Sequence, residues 1–567
     1  MIEILGILLF WIIIFSIKCF LEEQCKVDSK YSFVLTFTSI GIIEFILGIF
    51  NLMAIGTILL VASSIFYLIY KVKNHTIKRK EIGKWLKEPT HILWIVLFLY
   101  ITIIGYHMHL THYDNFSHWG IIVKTMFSFD RFPTFENPYI LFKGYQPGSA
   151  CFLYFFGFLC GRTEGSMIVG QNYLILAYLS LFFHFLGKEN KLLKSLLIIC
   201  FYIFVIITSE IAFHNLLVDS LLAFMFVGTY LIWREEKKNP KKAIQYMLPI
   251  MIYLFLVKNA GLLLDGILCL LILYEYYQKK EFKEGLKQVC IIGGILVISL
   301  LIWQGHVTMV FGHWALNTKH SLSPQNLYHS FKVLGFDNMI HFIKSYFIHF
   351  FQLKKNIPNL FMIGLNVLGI IKIALSKDKK KEMNQLLLLD ALYIGYYFIL
   401  GFMYIFSMPW EEAKVFAGYN RYMMTIVSSI IGITIYHLFQ TKKLEKEKIF
   451  YGFFILLLLI PIKFYWGPFQ TLLGKDDYKN SIVEKVDHIL PEIPLKDENY
   501  YIVLNQPYDE GYIIHMMQYK LEKNTIFIEE DYERIPDSSY IIVLDETTLD
   551  ETMFQKLSEH VYQKMPR

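Results

Sequence analysis

Four short stretches of the 567-residue chain gather side chains able to move protons or grip anions. The first runs Tyr113-Asp-Asn-Phe-Ser-His-Trp119, continues through Lys124, Asp130, Arg131 and Pro133, and ends in Phe142-Lys-Gly-Tyr-Gln-Pro-Gly148. Asp114 and His118 stand four apart, on one face if the stretch is helical. A carboxylate and an imidazole so placed can share a proton or a metal. Asp114 can equally be a helix N-cap, and His118 an interfacial histidine satisfied by backbone or headgroup. The second stretch, Ser209-Glu-Ile-Ala-Phe-His-Asn-Leu-Leu-Val-Asp219, sets Asp219 just inside an apolar run, where an unpaired carboxylate is costly. A cap or a structural ion pair is its plain alternative. The third is Lys258-Asn259 between two short apolar runs, a cation for a phosphate or for snorkelling to headgroups. The fourth, Trp410 to Met423, carries Tyr419 and Arg421 to the mouth of a span, where a planar guanidinium suits a phosphate or the lipid surface.

These groups must be positioned by an unusually apolar chain. Hydrophobic residues make up 55% and charged residues 18%, with a mean hydropathy of +0.43, against about 25% charged in an average globular protein. That excludes a soluble globular protein, and 49 Phe and 38 Tyr beside 33 Gly and 7 Cys exclude disorder, collagen and a disulfide scaffold. Most of the cysteines lie in apolar runs and none forms a CxxC pair, so no disulfide framework or thiol chemistry is expected. Runs near the ~20 residues that cross a bilayer recur near 3–20, 32–51, 53–70, 91–110, 167–186, 192–208, 215–233, 244–257, 262–276, 287–305, 357–376, 384–406, 423–440 and 448–466. The fold class is therefore a polytopic α-helical membrane protein of about fourteen spans, with the short pair 244–257 and 262–276 open to being one re-entrant hairpin. The first run lacks a basic flank and a small-residue cleavage site, so it reads as an anchor and not a signal peptide.

Basic residues crowd the connections at Lys71–Lys87, Arg234–Lys242, Lys377–Lys381 and Lys442–Lys448, which all fall on one side of the membrane. Because such loops stay in the cytoplasm, segments 111–166, 306–356, 407–422 and the C-terminal tail fall outside. From Gln470 onward the chain holds 20 Asp/Glu and 10 Lys/Arg, a charge of −10 in a chain whose total is +6. Within this tail Tyr500–Leu504, Thr525–Ile528 and Tyr540–Leu544 are β-type runs, and Gly511–Leu521 is an amphipathic helix. A small extracytoplasmic α/β domain follows, expected to cover the cavity or bind an acceptor and not to supply a base. No glycine-rich phosphate loop or solenoid repeat is present in the sequence.

The order of these features resembles the GT-C membrane glycosyltransferases, close in pattern to the protein O-mannosyltransferases and the aminoarabinose transferases of lipid A. In those families a catalytic Asp opens a long first outer loop that continues through a basic residue and a proline turn into interfacial helices. Asp114, Lys124, Pro133, Lys143 and Gln146-Pro147 keep that order, with Phe152–Cys160 as the interfacial helix. Asp219 matches an acidic span start, Val257-Lys-Asn-Ala-Gly261 a short hairpin, and Arg421-Tyr422 a late Arg-Tyr pair. The resemblance covers roughly residues 91–466, leaving 1–90 as extra N-terminal helices with a basic loop and 467–567 as the tail domain. It implies a sugar transferase with a polyprenyl-phosphate sugar donor and a glycan, lipid or protein acceptor of the cell envelope. Asp114 would then be the general base, His118 would orient it or touch the sugar, and Lys258 and Arg421, with Lys143 in reserve, would neutralise phosphate; Asp219 and Tyr419 join the substrate-binding group. The family's Glu after the Asp is Asn115 here, which keeps an oxygen but loses a charge, so a divalent metal stays open and no other cofactor is required. The partners are membrane lipids and no nucleic acid. A lipid-linked polysaccharide polymerase or ligase, a transporter or flippase, and a scaffold displaying the tail are the rival readings; the scaffold predicts that Asp114, Lys258 and Arg421 lie far apart.

Overall fold

The computed structural model describes residues 2–74, 89–187, 189–208, 213–316, 324–440, 447–494, 499–503, 511–523, 526–528, 534–544 and 549–566. The basic positions around Arg79 and Lys443, and the ends Leu504 and Thr525 of two expected strands, lie outside the described residues.

Helix occupies each of the fourteen apolar runs, but fewer than fourteen qualify as spans. Among the described residues, ten helices are long and apolar enough to cross a bilayer, and Lys448–Lys463 with Trp466–Leu472, bent by 104°, makes an eleventh if counted as one. The three others are Pro89–Gly105, the described part of which is 17 residues long, Asp219–Glu236, which is charged at both ends, and Pro240–Val257, whose first turns are basic and polar. Asp219–Glu236 needs no lipid-facing stripe, because all but two of its side chains are buried by neighbouring helices. The short pair 244–257 and 262–276 forms two helices, Pro240–Val257 and Ala260–Gln278, joined at Lys258-Asn259. Gly261 permits that turn: its N–H donates to the Lys258 carbonyl, and a Cβ there would stand 2.2 Å from the Leu254 carbonyl oxygen.

The N-terminal helices pack onto the rest of the bundle. Phe10 of Ile2–Glu23 meets Phe156 edge-on at 4.9 Å, and Phe37 of Ser29–Ile49 stacks on Phe152 at 5.3 Å. Both partners belong to Gly148–Cys160, the helix expected as interfacial, which is buried along most of its length.

The tail contains a five-stranded sheet: β1 Tyr500–Val503, β2 Ile526–Ile528, β3 Tyr540–Val543, β4 Phe554–Lys556 and β5 Val561–Lys564, in the order β2-β1-β3-β5-β4. β1 pairs parallel with β2 and β3, with the helix Tyr512–Leu521 as crossover, while β5 runs antiparallel to β3 and β4. The tail helix does not float free. Its Tyr512 and Tyr519 rings meet Phe116 at 5.7 and 5.2 Å, and Tyr512 Oη donates to the Thr111 carbonyl at 2.7 Å. Lys124 Nζ donates to the Tyr519 and Lys520 carbonyls, and Lys520 is held between Glu164 at 3.1 Å and Asp487 at 2.8 Å.

Candidate functional site

The first outer loop reaches Asp114 through a turn of unusual winding. Residues Asn115–Trp119 form a π-helical turn, closed by the Gly120 N–H donating to the Asn115 carbonyl five residues back. Such turns are uncommon and cluster at functional sites. Gly120 suits the tight closure, since a Cβ would stand 2.7 Å from the Asn115 oxygen and 3.0 Å from Leu110. Asp114 occupies the N-cap position, yet its carboxylate makes no capping bond. It pairs instead with Arg421, whose Nη1 donates to Oδ2 at 3.1 Å.

Arg421 enters from the first turn of Tyr419–Gln440 and faces a second carboxylate, with Nε 3.8 Å from Asp219 Oδ2. Asp219, the first residue of its helix, is buried and accepts from Lys258 Nζ at 3.2 Å on its other oxygen. Arg421 Nη2 also donates to Tyr422 Oη at 3.2 Å, and Lys258 lies 5.5 and 6.0 Å over the Tyr422 and Trp119 rings. Two carboxylates thus alternate with two cations, so the cluster is formally neutral although it sits in a largely desolvated place. Each charge comes from a different element.

These four residues and His118 line one cavity of about 410 Å³, within the usual size range of small-molecule sites, about 300–1,000 Å³. Trp119, Tyr145, Tyr396, Tyr422 and Glu412 share the lining. Gln146 Nε2 donates to Asn259 Oδ1 at 2.5 Å, joining the first loop to the Lys258 turn. His118 is buried among Trp119, Phe142 and Tyr145, with ring centroids 4.4, 5.4 and 4.9 Å away. Among the described residues neither of its nitrogens has a hydrogen-bond partner, and it makes no bond to Asp114. Burial holds its pKa down to about 3, partly offset by Asp114 and reinforced by Lys258.

Two other candidates lie elsewhere. Lys143 is absent from the lining, and its Nζ lies 5.3 Å over Trp314. Tyr419 points into an aromatic cluster, where its hydroxyl accepts from Asn356 at 2.9 Å and its ring meets His349 edge-on. Asn115 does not fit a metal shared with Asp114. It is buried, its Oδ1 accepts the Leu216 N–H at 3.0 Å, and its amide donates to Asn215.

The cavity lies at the end of the bundle away from the basic connection Arg234–Lys242. Asp219 opens an 18-residue helix that ends near Arg234 and Lys237, a rise of about 27 Å at 1.5 Å per residue. Lys258 likewise follows a helix that begins at Pro240, beside Lys241 and Lys242. Tyr396, Leu400 and Met403 supply a wall that carried no signal in the sequence, because a Tyr in an apolar run reads as ordinary packing. Trp119, Tyr145 and Tyr422 stand within the quoted stretches, one or two residues from His118, Lys143 and Arg421, and that proximity is the signal by which they could have been assigned to the site.

No family model and no curated protein matches the chain. Among solved structures, the crystal structure of ArnT from Cupriavidus metallidurans bound to undecaprenyl phosphate is similar, with 12% identity and a TM-score of 0.35, over 79% of this chain and 93% of that one.

Proposed function

We propose that the protein is a membrane glycosyltransferase of GT-C type that moves a sugar from a polyprenyl-phosphate donor to an envelope acceptor at the extracytoplasmic face. The observation that carries the reading is the convergence of Asp114, Asp219, Lys258 and Arg421 from four elements on one cavity. The scaffold alternative expects such residues to be dispersed. Orientation follows from the basic connections at the far end of the bundle, which stay in the cytoplasm.

In this reading the acceptor hydroxyl attacks the anomeric carbon, its proton passes to an Asp114 oxygen, and the carbon–phosphate oxygen bond breaks with its electron pair leaving on the lipid phosphate. Arg421 and Lys258 stabilise that leaving charge through charge-assisted hydrogen bonds. Without donor, Arg421 is engaged by Asp114. An arriving phosphate competes for the guanidinium and releases the carboxylate for the acceptor. Asp219 keeps both cations charged and aimed at the cavity. His118, neutral and apolar in its surroundings, shapes the wall beside Asp114.

The test is transfer of radiolabelled sugar from a synthetic polyprenyl-phosphate donor to envelope extract by the purified full-length protein. Lipid-dependent transfer supports the reading; donor movement between leaflets without product would replace it by a flippase.

A further inference from the structure

Outside the cavity, three separated segments bring metal-ligating groups together. Asp476 and Asp477 open the tail, His214 lies in the loop before Asp219, and His109 and Thr111 precede Asp114. One ligand atom each from His214, Asp476 and Asp477 falls within 4.8 Å of the others. His214 Nε2 is 2.9 Å from Asp477 Oδ1 and 2.9 Å from Thr111 Oγ1, and Thr111 also bonds Asp477 at 2.9 Å. Asp476 Oδ2 meets His109 Nδ1 at 3.0 Å, while its other oxygen accepts the Tyr478 N–H at 2.9 Å.

We propose that this group is a divalent transition-metal site that clamps the start of the tail to the two loops carrying Asp114 and Asp219. Three observations converge. First, two adjacent carboxylates, Asp476 half-buried and Asp477 exposed, converge on the buried His214, and the ion pairs that they make among the described residues are to His109 and His214. The neighbouring Lys475 is turned to Gln470 instead. Second, His214 is buried, and among the described residues its polar contacts are made by Nε2, on the side of the Asp477 carboxylate, with none to Nδ1. Third, the donor set suits a first-row ion: imidazole nitrogens favour zinc, and carboxylate and hydroxyl oxygens admit manganese. A tetrahedral zinc with bonds near 2.0 Å needs ligand atoms about 3.3 Å apart; the His214–Asp477 pair, now 2.9 Å apart, would open slightly to admit it, and all three ligand atoms already lie within 4.8 Å of one another. Entry is open, since the side chains of Asp477 and His109 are 60% and 40% exposed.

Such an ion would fix three chain segments at once. Thr111 stands three residues before Asp114 and His214 five before Asp219, so the clamp would hold the loops that deliver both carboxylates. The site lies outside the cavity, and its failure would leave the transfer reading untouched, as would the reverse.

The experiment uses tag-free full-length protein in detergent, stripped with a chelator and then given Zn2+ or Mn2+, with Mg2+ as a hard-cation control. Metal retained after desalting is measured by mass spectrometry, and melting is followed in parallel. The expected result is about one zinc or manganese per chain, with stripping lowering the melting temperature and the ion restoring it. Asp477→Asn and His214→Gln, checked for folding by gel filtration, should retain under about a tenth of that metal. Wild-type protein that retains neither ion and melts identically with or without chelator overturns the site, leaving a histidine–carboxylate network. Variants that keep the full metal content overturn the ligand assignment.

Discussion

Replacing Asp114 with Asn separates the roles open to that carboxylate. The substitution keeps size and hydrogen-bonding capacity but removes the proton acceptor, and loss of a general base costs typically ~10²–10⁴-fold. At 1.36 kcal/mol per tenfold, that is about 2.7–5.4 kcal/mol of transition-state stabilisation. The Arg421–Asp114 pair sharpens the expectation. With the charge of Asp114 removed, Arg421 keeps Asp219 as a partner and loses a competitor for phosphate. Donor affinity in the Asn variant should therefore be unchanged or tighter while the rate at saturating donor collapses. Single-turnover transfer of radiolabelled sugar, alongside equilibrium donor binding, reads both quantities. A capping role would make Asn an equal replacement, although the Asp114 carboxylate makes no capping bond. A purely anchoring role would shift affinity and leave the saturated rate alone. An Asp114→Asn protein that transfers at near wild-type rate with saturating donor would refute the base assignment.

Asp219→Asn should weaken both donor binding and the fold, because it leaves Lys258 and Arg421 short of their shared counter-charge; breaking a buried pair costs about 3–5 kcal/mol, readable as a fall in unfolding midpoint. Lys143→Ala should leave kcat/KM close to wild type, since that ammonium sits over Trp314 and outside the cavity lining; a tenfold loss would return it to the phosphate site. His118→Phe should fold at pH 7 and be less sensitive to acid than wild type. With the folded pKa depressed to about 3, the unfolded state alone binds the proton as pH falls below about 6.5. Stability due to this group is present above that pH and lost toward the folded value, by up to about 1.4 kcal/mol per pH unit; equal shifts in melting temperature from pH 7 to pH 5 in both proteins would contradict it. Lys520→Met should loosen the tail, leaving Glu164 and Asp487 without their bridge; faster amide exchange in Tyr512–Leu521 is the readout, and unchanged protection would count against tight docking.

The charged members of the cavity were legible because a charge beside an apolar run is expensive and demands a partner. Which partner was not legible: Arg421 and Asp114 are 307 positions apart, and Lys258 and Asp219 are 39 apart. Pairing at that distance is decided by how helices pack, which local pattern does not encode. The same limit explains Lys143 and Tyr419. Lys143 lies between Phe142 and Tyr145, both in the lining, but the loop turns its side chain toward Trp314. Tyr419 lies two residues before Arg421, about 200° around an α-helix at 3.6 residues per turn, and so faces a different neighbour. The three β-runs of the tail were recognisable from their apolar, β-branched composition, whereas β4 and β5 each carry Gln and Lys among their three or four residues. Among the described residues fewer than fourteen helices are long and apolar enough to span, and for Asp219–Glu236 the reason is related: a helix enclosed by protein tolerates charge at its ends that lipid would not.

The docking of the tail changes what its acidity implies. Surface charge of one sign would hold a loosely tethered domain away from anionic lipid, but here the contact face is stitched to the first loop by buried groups. Phe116 is fully buried, and its cover comes from Tyr512 and Tyr519. Phe116 is also inside the π-helical turn that begins directly after Asp114. Removing the tail would therefore expose the turn that positions the proposed base and strip Thr111 of its bonds to Asp477 and Tyr512. Loss of activity on truncation would not distinguish a catalytic tail from a supporting one. The separation has to come from substitutions on the contact face, such as Lys520→Met, that leave the sheet intact while freeing the turn.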